Sequence, residues 1–236
     1  DLDAVGGALR AMYCPWLEES ARRLQEAAKA AGGLSSIQSG TLTSGTCTVF
    51  VDGLRYDVAT QLQKRLSAFG DTQLSARWTS LPSVTASGKA WCSPVAKHIG
   101  GIGDDLDFEP RVSADGKSLS GHNFRKLLGE HDIQALEKHE TGDPQGQAWT
   151  ETGDLDHYGH EHGIRLARDL DTQLSQVVER ISELKDAGWK HIRIVTDHGW
   201  LLIELGVRVV GQDGLDDRPR IFVSLKCDEY FGHGYS

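Results

Sequence analysis

The chain has few cysteines and no cluster of them. Its four cysteines, Cys14, Cys47, Cys92 and Cys227, are far apart in a sequence of 236 residues, and no CxxC pair is present. A structural zinc site made of thiolates needs closely spaced cysteine pairs. The spacing therefore argues against such a site, and we expect reduced thiols in a cytoplasmic protein.

Long hydrophobic runs and an excess of positive charge are also missing. No run approaches the ~20 apolar residues of a membrane-spanning helix, and the start of the chain lacks the basic-then-apolar order of a signal peptide. We therefore expect no membrane partner. The chain carries 25 Lys and Arg against 34 Asp and Glu, a formal net charge of −9. This balance argues against a broad nucleic-acid-binding surface, which needs cations to neutralise phosphates.

The length fits one α/β domain over residues 35–236, preceded by a helical segment over residues 1–34. Residues 15–31 are rich in Ala, Leu, Glu and Arg, with Pro15 near the start and two glycines after the end. This composition and punctuation predict a helix. Because the first residue is Asp1 rather than Met, we expect the chain to be a piece of a longer protein.

Apolar runs alternate with helical patterns along the chain. Strands are predicted at 47–51, 75–78, 191–196 and 220–225. Helices are predicted at 54–69, at 85–99 with an interruption near Pro94, at 122–140 and at 164–187. Alternating strands and helices predict an α/β fold with a parallel sheet covered by helices on both faces. Between residues 100 and 153 Gly, Asp, Ser and Lys dominate, and we interpret this region as a loop-rich insertion over the site.

Two motifs share one design. VFVDG, residues 49–53, and IVTDHG, residues 194–199, are apolar runs that lead into Asp. They predict buried parallel strands that deliver Asp52 and Asp197 to the edge of the sheet where α/β proteins build their sites. Taken alone, Asp52 fits an N-cap of the next helix better than a ligand. The second Asp, with His198 beside it, favours a bound cation.

Two further motifs add a hydroxyl, a carboxylate and an imidazole. LPSVTASGK, residues 81–89, carries Thr85 after a proline turn, as either a helix N-cap or a nucleophile activated by a metal. LDHYGHEHG, residues 155–163, carries Asp156 and His160, which share one face of a helical turn. The alternative interpretation of that segment is a charged first turn of a helix, which the helix dipole favours.

These four motifs, in this order, resemble those of the PglZ domain, a branch of the alkaline phosphatase superfamily. PglZ domains occur in the phage-exclusion systems called BREX and in some bacterial signalling proteins. The resemblance covers about residues 48–199. It implies an alkaline-phosphatase-like sheet and a two-metal site, usually zinc, that holds a phosphate ester against a Ser or Thr nucleophile. The implied protein is a metal-dependent phosphatase or phosphodiesterase of a phage-defence system.

The resemblance also implies a role for each motif residue. One zinc ion would be held by Asp52, Asp197 and His198, with Thr85 as the nucleophile contacting it, and the second by Asp156, His160 and a late His. In PglZ-like chains the late His is expected in a His-Gly-Gly context. This sequence offers His233-Gly234 shortly before Ser236. Either His233 is that ligand or the ligand lies beyond Ser236.

Two function classes stay open at this point. The first is the phosphoesterase, acting on a phosphate monoester or diester, with a nucleotide or a nucleic-acid strand among the possible substrates. The second is a catalytically degenerate domain that keeps the fold and serves as an assembly or binding component among other defence proteins. The full set of motif residues argues for the enzyme, and the uncertain late His argues for the degenerate domain.

Overall fold

The structure is a computed structural model that describes residues 2–30, 43–76, 84–101, 109–163 and 165–200. In these ranges the α-helices are α1 (Leu2–Ala30), α2 (Tyr56–Leu66), α3 (Thr85–Cys92), α4 (Gly121–Glu130), α5 (Leu155–His162) and α6 (Arg165–Asp186). The strands are β1 (Thr46–Phe50), β2 (Ile99–Gly101), β3 (Pro110–Val112), β4 (Ile133–Leu136), β5 (Gln147–Glu151) and β6 (His191–Val195). No helix in the described part of the chain combines the length and apolar character needed to cross a membrane.

A four-stranded parallel sheet forms the centre of the fold. Its strand order is β4-β5-β1-β6, and each neighbouring pair is parallel. Strands β2 and β3 form a separate antiparallel pair. The prediction of an α/β fold with a parallel sheet is therefore confirmed. Because all four strands run the same way, their carboxyl ends lie along one edge, where open α/β sheets bind ligands.

Strand β1 lies at the middle of two core layers. All five of its residues are buried, and successive side chains point to opposite faces of the sheet. On one face, Val49 packs in a cluster with residues of α2, α5 and α6, including Leu174. On the other face, Phe50 packs with Trp149 of β5 and Phe124 of α4. Burial on both faces explains why β1 reads as a continuous apolar run.

The prediction of a loop-rich insertion over residues 100–153 is wrong for the second half of that range. Strands β4 and β5 belong to the central sheet and supply half of its four strands. Their sequences, IQAL and QAWTE, are short and include Gln, Thr and Glu. No run of apolar residues therefore marks them as strands in the sequence. The helix in the structure is also shorter than the one predicted over residues 122–140. Helix α4 ends at Glu130, and β4 begins three residues later.

The first helix is longer than predicted. It begins at Leu2 instead of residue 15, and Pro15 lies inside it. Proline in a helix interior removes one backbone hydrogen bond, yet Ala, Leu, Met and Arg on its N-terminal side favour helix. The predicted boundary at residues 34/35 and the strand at 220–225 lie outside the described residues. Of the predicted strand at 75–78, the described residues 75–76 have no regular structure.

Within the described residues, Cys14, Cys47 and Cys92 form no disulfide, and Cys227 lies outside the described residues. Cys47 is buried in β1, where burial raises the pKa of its thiol to about 12. A thiol that stays protonated is a poor metal ligand and a poor nucleophile.

Arg180 ties the turn after β4 to helix α6. Its side chain is only 4% exposed, and its guanidinium donates hydrogen bonds to the carbonyl oxygen of Glu140 (2.5 Å) and to Thr150 Oγ1 (3.4 Å). It also forms an ion pair with Glu183 at 2.9 Å. The guanidinium is planar and presents several donors. One side chain can therefore contact the turn, β5 and α6 at the same time.

Replacing this arginine should destabilise the fold. Arg180→Met leaves the Glu140 carbonyl and Thr150 hydroxyl without their donor, and we expect a loss of about 1–3 kcal/mol in the free energy of unfolding. Arg125→Met is the matched control, since Arg125 pairs with Glu137 in the same turn but both side chains are 64% exposed. Urea denaturation measures both variants. Equal midpoints for the two would contradict the anchoring role of Arg180.

Candidate metal centre and active site

Three acidic residues reach the same edge of the sheet. Asp52 lies two residues after β1 ends, and Asp197 lies two residues after β6 ends. Since β1 and β6 are parallel neighbours, these two positions are equivalent on adjacent strands. Asp156 lies in the first turn of α5, which follows β5, the other neighbour of β1. Three adjacent strands therefore supply one site.

The donor atoms of this site lie close together. One ligand atom each from Asp52, Asp156 and His198 lies within 4.8 Å of the other two. His198 Nε2 is 3.4 Å from Asp52 Oδ1 and 3.8 Å from Asp197 Oδ2. The Thr85 hydroxyl is 3.0 Å from His198 Nε2 and donates to Asp52 Oδ1 at 3.2 Å. The structure thus gathers five of the residues singled out in the sequence.

His160 lies at the outer side of this cluster. Its Nε2 is 3.3 Å from Asp156 Oδ2, and its side chain is partly exposed. The spacing of four residues in α5 puts both side chains on one helix face, as the sequence predicted. His157 and Glu161 pair with each other at 3.3 Å on a more exposed part of the same helix. His233, the expected late ligand, lies outside the described residues.

Neither Asp52 nor Thr85 is the N-cap residue of a helix. The N-cap residue of α2 is Arg55, and that of α3 is Val84. Thr85 is instead the first residue of α3, so its hydroxyl is directed to Asp52 and His198. Both side chains are therefore available for chemistry at the sheet edge.

The carboxylates repel one another in a poorly hydrated place. Burial, together with the negative charges of Asp197 and Asp156, raises the pKa of Asp52 to about 7. Burial also raises the pKa of Asp197, against the opposing influence of His198. Asp197 is fully buried, and its Oδ2 has no hydrogen-bond partner among the described residues. Asp156 Oδ1 is also buried without a hydrogen-bond partner among the described residues.

This donor set fits a zinc ion. Buried carboxylate oxygens without a hydrogen bond, here Asp156 Oδ1 and Asp197 Oδ2, are unfavourable unless a cation neutralises them. Carboxylate oxygen with imidazole nitrogen is a ligand combination that zinc accepts. His198 Nδ1 lies 3.1 Å from the Gly199 carbonyl oxygen. When Nδ1 donates that bond, the lone pair of Nε2 faces the carboxylates, which is the usual arrangement of a metal-binding histidine.

Two glycines let the surrounding elements approach the carboxylates. A Cβ placed on Gly88 of α3 would lie 2.5 Å from Asp197 Cβ, so α3 packs directly against that aspartate. Gly53 adopts a positive φ of 66°, and a Cβ there would lie 3.1 Å from Asp156 Cβ. Sequence reasoning singled out neither glycine. The signal was present, since one follows Asp52 and the other follows Thr85 by three positions.

A large cleft opens on one side of the cluster. Its volume is about 1090 Å³, and its lining includes Asp52, Asp156 and His160. Lys89, one helical turn after Thr85, also lines it and pairs with Glu151 at 2.7 Å. Asp52, Asp156 and His160 therefore border a space large enough to hold a small molecule, whereas Thr85, Asp197 and His198 are not among its lining residues.

Comparison with known proteins adds no assignment. No family model, curated protein or solved structure matches this chain.

Closing the gap at Gly88 should damage the metal centre. In Gly88→Ala the new methyl group meets Asp197 Cβ, which cannot swing away, so the carboxylate must shift. We expect weaker zinc binding and a lower melting temperature. Gly129→Ala is the control, because a Cβ at that helical position has no neighbour within 4 Å and alanine favours helix. Zinc titration of both variants tests this, and unchanged zinc affinity in Gly88→Ala would contradict it.

Removing one carboxylate should have opposite effects with and without metal. At pH 8 in the presence of a chelator, Asp52→Asn relieves repulsion with Asp156 and Asp197. We expect its melting temperature to exceed that of the wild type by at least about 2–4 °C, the shift that about 1 kcal/mol produces at this chain length. Added zinc should then stabilise the wild type more than the variant. A less stable variant in the chelator would show that repulsion does not dominate the site.

Proposed function

We propose that this chain is a zinc-dependent phosphoesterase with Thr85 as its nucleophile, and that it is a PglZ-like domain of a BREX-like phage-defence system. The observation that carries the proposal is the position of the Thr85 hydroxyl. It lies 3.2 Å from Asp52 Oδ1 and 3.0 Å from His198 Nε2, inside a cluster of carboxylates that need a cation. A partly buried hydroxyl in such surroundings is suited to nucleophilic attack.

The parallel sheet supports an alkaline-phosphatase-like topology for the domain. Helices α2, α5 and α6 pack on one face, and α3 and α4 pack on the other. The site lies at the carboxyl ends of the strands, as expected for an open α/β sheet. This placement fits a domain whose catalytic residues come from loops that follow the strands.

The residues divide into two groups for metal binding. Asp52, Asp197 and His198 would hold one zinc ion beside Thr85. Asp156 and His160 would hold a second, joined by His233 or by a residue beyond Ser236. A bound zinc ion lowers the pKa of a coordinated hydroxyl and neutralises charge on phosphoryl oxygens.

Thr85 then performs the covalent step. Asp52 accepts the hydrogen bond from Thr85 Oγ1 and so orients the hydroxyl toward the substrate. A bond forms between Oγ1 and phosphorus, the ester P–O bond breaks, and the alcohol leaves with a proton. Water next cleaves the phosphothreonine and releases phosphate. Because Thr85 is the first residue of α3, the positive end of the helix dipole favours the phosphoryl group at this position.

The alternative of a binding component has one observation in its favour. Helix α1 exposes four large apolar side chains at spacings of four, three and four residues: Val5, Leu9, Met12 and Trp16. Such spacing forms one stripe along a helix, which is typical of a surface that packs on another protein. The two roles are compatible, since α1 is distinct from the residues of the metal centre.

Substitution of the nucleophile should separate catalysis from metal binding. Thr85→Ala should lower kcat by at least about a thousandfold, as loss of a nucleophile does in other enzymes, while zinc content stays near that of the wild type. Thr85→Ser should keep a measurable part of the activity, because a primary hydroxyl remains in place. Nitrophenyl monoester and diester substrates, with zinc analysis of the same samples, provide the measurement.

Two controls define the outcome of this experiment. Thr60→Ala removes a threonine hydroxyl that bonds only the carbonyl of Tyr56 on the exposed side of α2 and should leave kcat unchanged. Asp197→Ala should lose zinc together with activity. Full activity of Thr85→Ala at unchanged zinc content would mean that water attacks phosphorus directly. No activity in the zinc-loaded wild type on any ester would favour the binding component.

A further inference from the structure

The loop that carries His198 is held by hydrogen bonds at several points. Leu54 donates its backbone N–H to Thr196 Oγ1 at 3.0 Å, and Thr196 Oγ1 donates to the carbonyl oxygen of His198 at 3.2 Å. The backbone N–H of His198 donates to Asp197 Oδ1 at 2.9 Å. These bonds hold the backbone of His198 in place, but the direction of its imidazole ring depends on other contacts.

One contact of the imidazole ring decides which of its nitrogens is able to bind a metal. His198 Nδ1 lies 3.1 Å from the carbonyl oxygen of Gly199. A carbonyl oxygen only accepts hydrogen bonds, so this contact favours a proton on Nδ1, and Nε2 of the neutral ring then carries the lone pair. Rotation of the peptide between Gly199 and Trp200 would move this oxygen away from Nδ1. The orientation of that peptide is therefore a requirement of the metal centre.

Arg55 lies against both residues of this peptide. Its Nη1 donates a hydrogen bond to the carbonyl oxygen of Trp200 at 3.2 Å, and its Cζ lies over the Trp200 ring, 4.2 Å from the ring centroid. A guanidinium on an aromatic face is a favourable arrangement. The arginine side chain also covers Gly199, where an added Cβ would lie 2.9 Å from Arg55 Cγ. One side chain therefore restrains the peptide that orients His198.

An ion pair fixes the direction of this guanidinium. Arg55 Nε and Nη2 bond the two carboxylate oxygens of Asp57 at 2.5 and 2.7 Å. The pair is partly exposed, so it adds little to stability, and its main consequence is the orientation of the arginine. Arg55 follows Asp52 by three residues. The same short segment after β1 thus supplies one ligand of the metal centre and restrains the loop that supplies another.

We propose that Arg55 is a positioning residue for the metal-binding His198. By restraining the peptide between Gly199 and Trp200, it keeps the Gly199 carbonyl oxygen on Nδ1 and the lone pair of Nε2 directed at the carboxylates. The inference rests on the zinc centre of the proposed function, because it gives Arg55 a role in preparing a ligand of that centre. Arg55 is a cation and acts through the loop, not as a ligand.

The zinc affinity of Arg55→Met distinguishes positioning from the effect of charge. Loss of a positive charge near a cation site strengthens cation binding if charge alone matters. Loss of positioning has the opposite sign, since disturbing the partner of a metal-binding histidine weakens metal affinity by about 10-fold to 100-fold. We therefore expect Arg55→Met to bind zinc at least about tenfold more weakly than the wild type in competition with a chromophoric chelator. Unchanged or tighter binding would overturn the proposal.

Arg55→Lys provides a second variant that keeps the positive charge. A lysine pairs with Asp57 as a point charge, but it lacks the planar fork that bonds a carboxylate and a carbonyl oxygen together and stacks on an indole. We expect this variant also to bind zinc more weakly than the wild type. Wild-type affinity in Arg55→Lys would show that a positive charge is sufficient at this position and would contradict positioning by the guanidinium.

Nuclear magnetic resonance of the zinc-loaded protein with isotope-labelled histidine reports on the ring directly. In the wild type we expect a signal from the Nδ1 proton of His198, because its hydrogen bond to Gly199 slows exchange of this proton with water. In Arg55→Met we expect this signal to be lost through faster exchange. A signal that persists in the variant would show that the Gly199 carbonyl oxygen stays in place without Arg55.

Arg65→Met is the matched control for stability. Arg65 also belongs to α2, its side chain is 30% exposed against 35% for Arg55, and it also pairs with an aspartate, Asp171 of α6. It donates to the carbonyl oxygen of Asp171 at 3.3 Å as well. We expect its zinc affinity to stay within twofold of the wild type and the His198 signal to remain. Equal losses of zinc affinity in the two methionine variants would indicate general destabilisation and would overturn the role of Arg55.

The proposed role of Arg55 and the proposed function fail in different ways. Wild-type zinc affinity in Arg55→Met would overturn the positioning role and leave the zinc centre and the phosphoesterase standing. Absence of zinc binding by the wild type would overturn the metal centre, and the role of Arg55 would fall with it.

Discussion

The repulsion among Asp52, Asp156 and Asp197 is the constraint on which the rest of the site depends. Parallel strands β1 and β6 bring two of these carboxylates to equivalent positions, and α5 adds the third. Burial removes the water that would screen them, which is why the pKa of Asp52 is raised to about 7. A fold that maintains this arrangement loses stability unless a cation offsets the charge.

The same constraint organises the neighbouring elements. Gly88 allows α3 to lie against Asp197, and this contact places Thr85 at the start of that helix beside Asp52. Gly53 allows α5 to approach with Asp156. On the proposed function, the acidic edge, the hydroxyl and the cleft form one arrangement, in which stability of the metal-free fold would be exchanged for the capacity to bind metal and phosphate.

The sequence predicted which residues meet at the edge of the sheet better than it predicted the strands of the sheet. Strands β1 and β6 are revealed by the apolar residues that precede Asp52 and Asp197, VFV and IV. Strand β1 is buried throughout, as expected of a strand covered on both faces, whereas β6 is only partly buried. Strands β4 and β5 are short and partly polar, so their pairing within the sheet depends on distant contacts that no local pattern shows.

Zinc K-edge X-ray absorption of the zinc-loaded protein tests the central claim most directly, since it reports the atoms bound to the metal. We expect oxygen and nitrogen neighbours at about 2.0–2.2 Å from the zinc ion and no sulfur neighbour. These oxygen and nitrogen neighbours should be lost when Asp197 is replaced by Ala. A sulfur shell at about 2.3 Å, the distance of zinc to cysteine, or a spectrum unchanged by the loss of Asp197, would contradict the assignment of the acidic cluster as the metal centre.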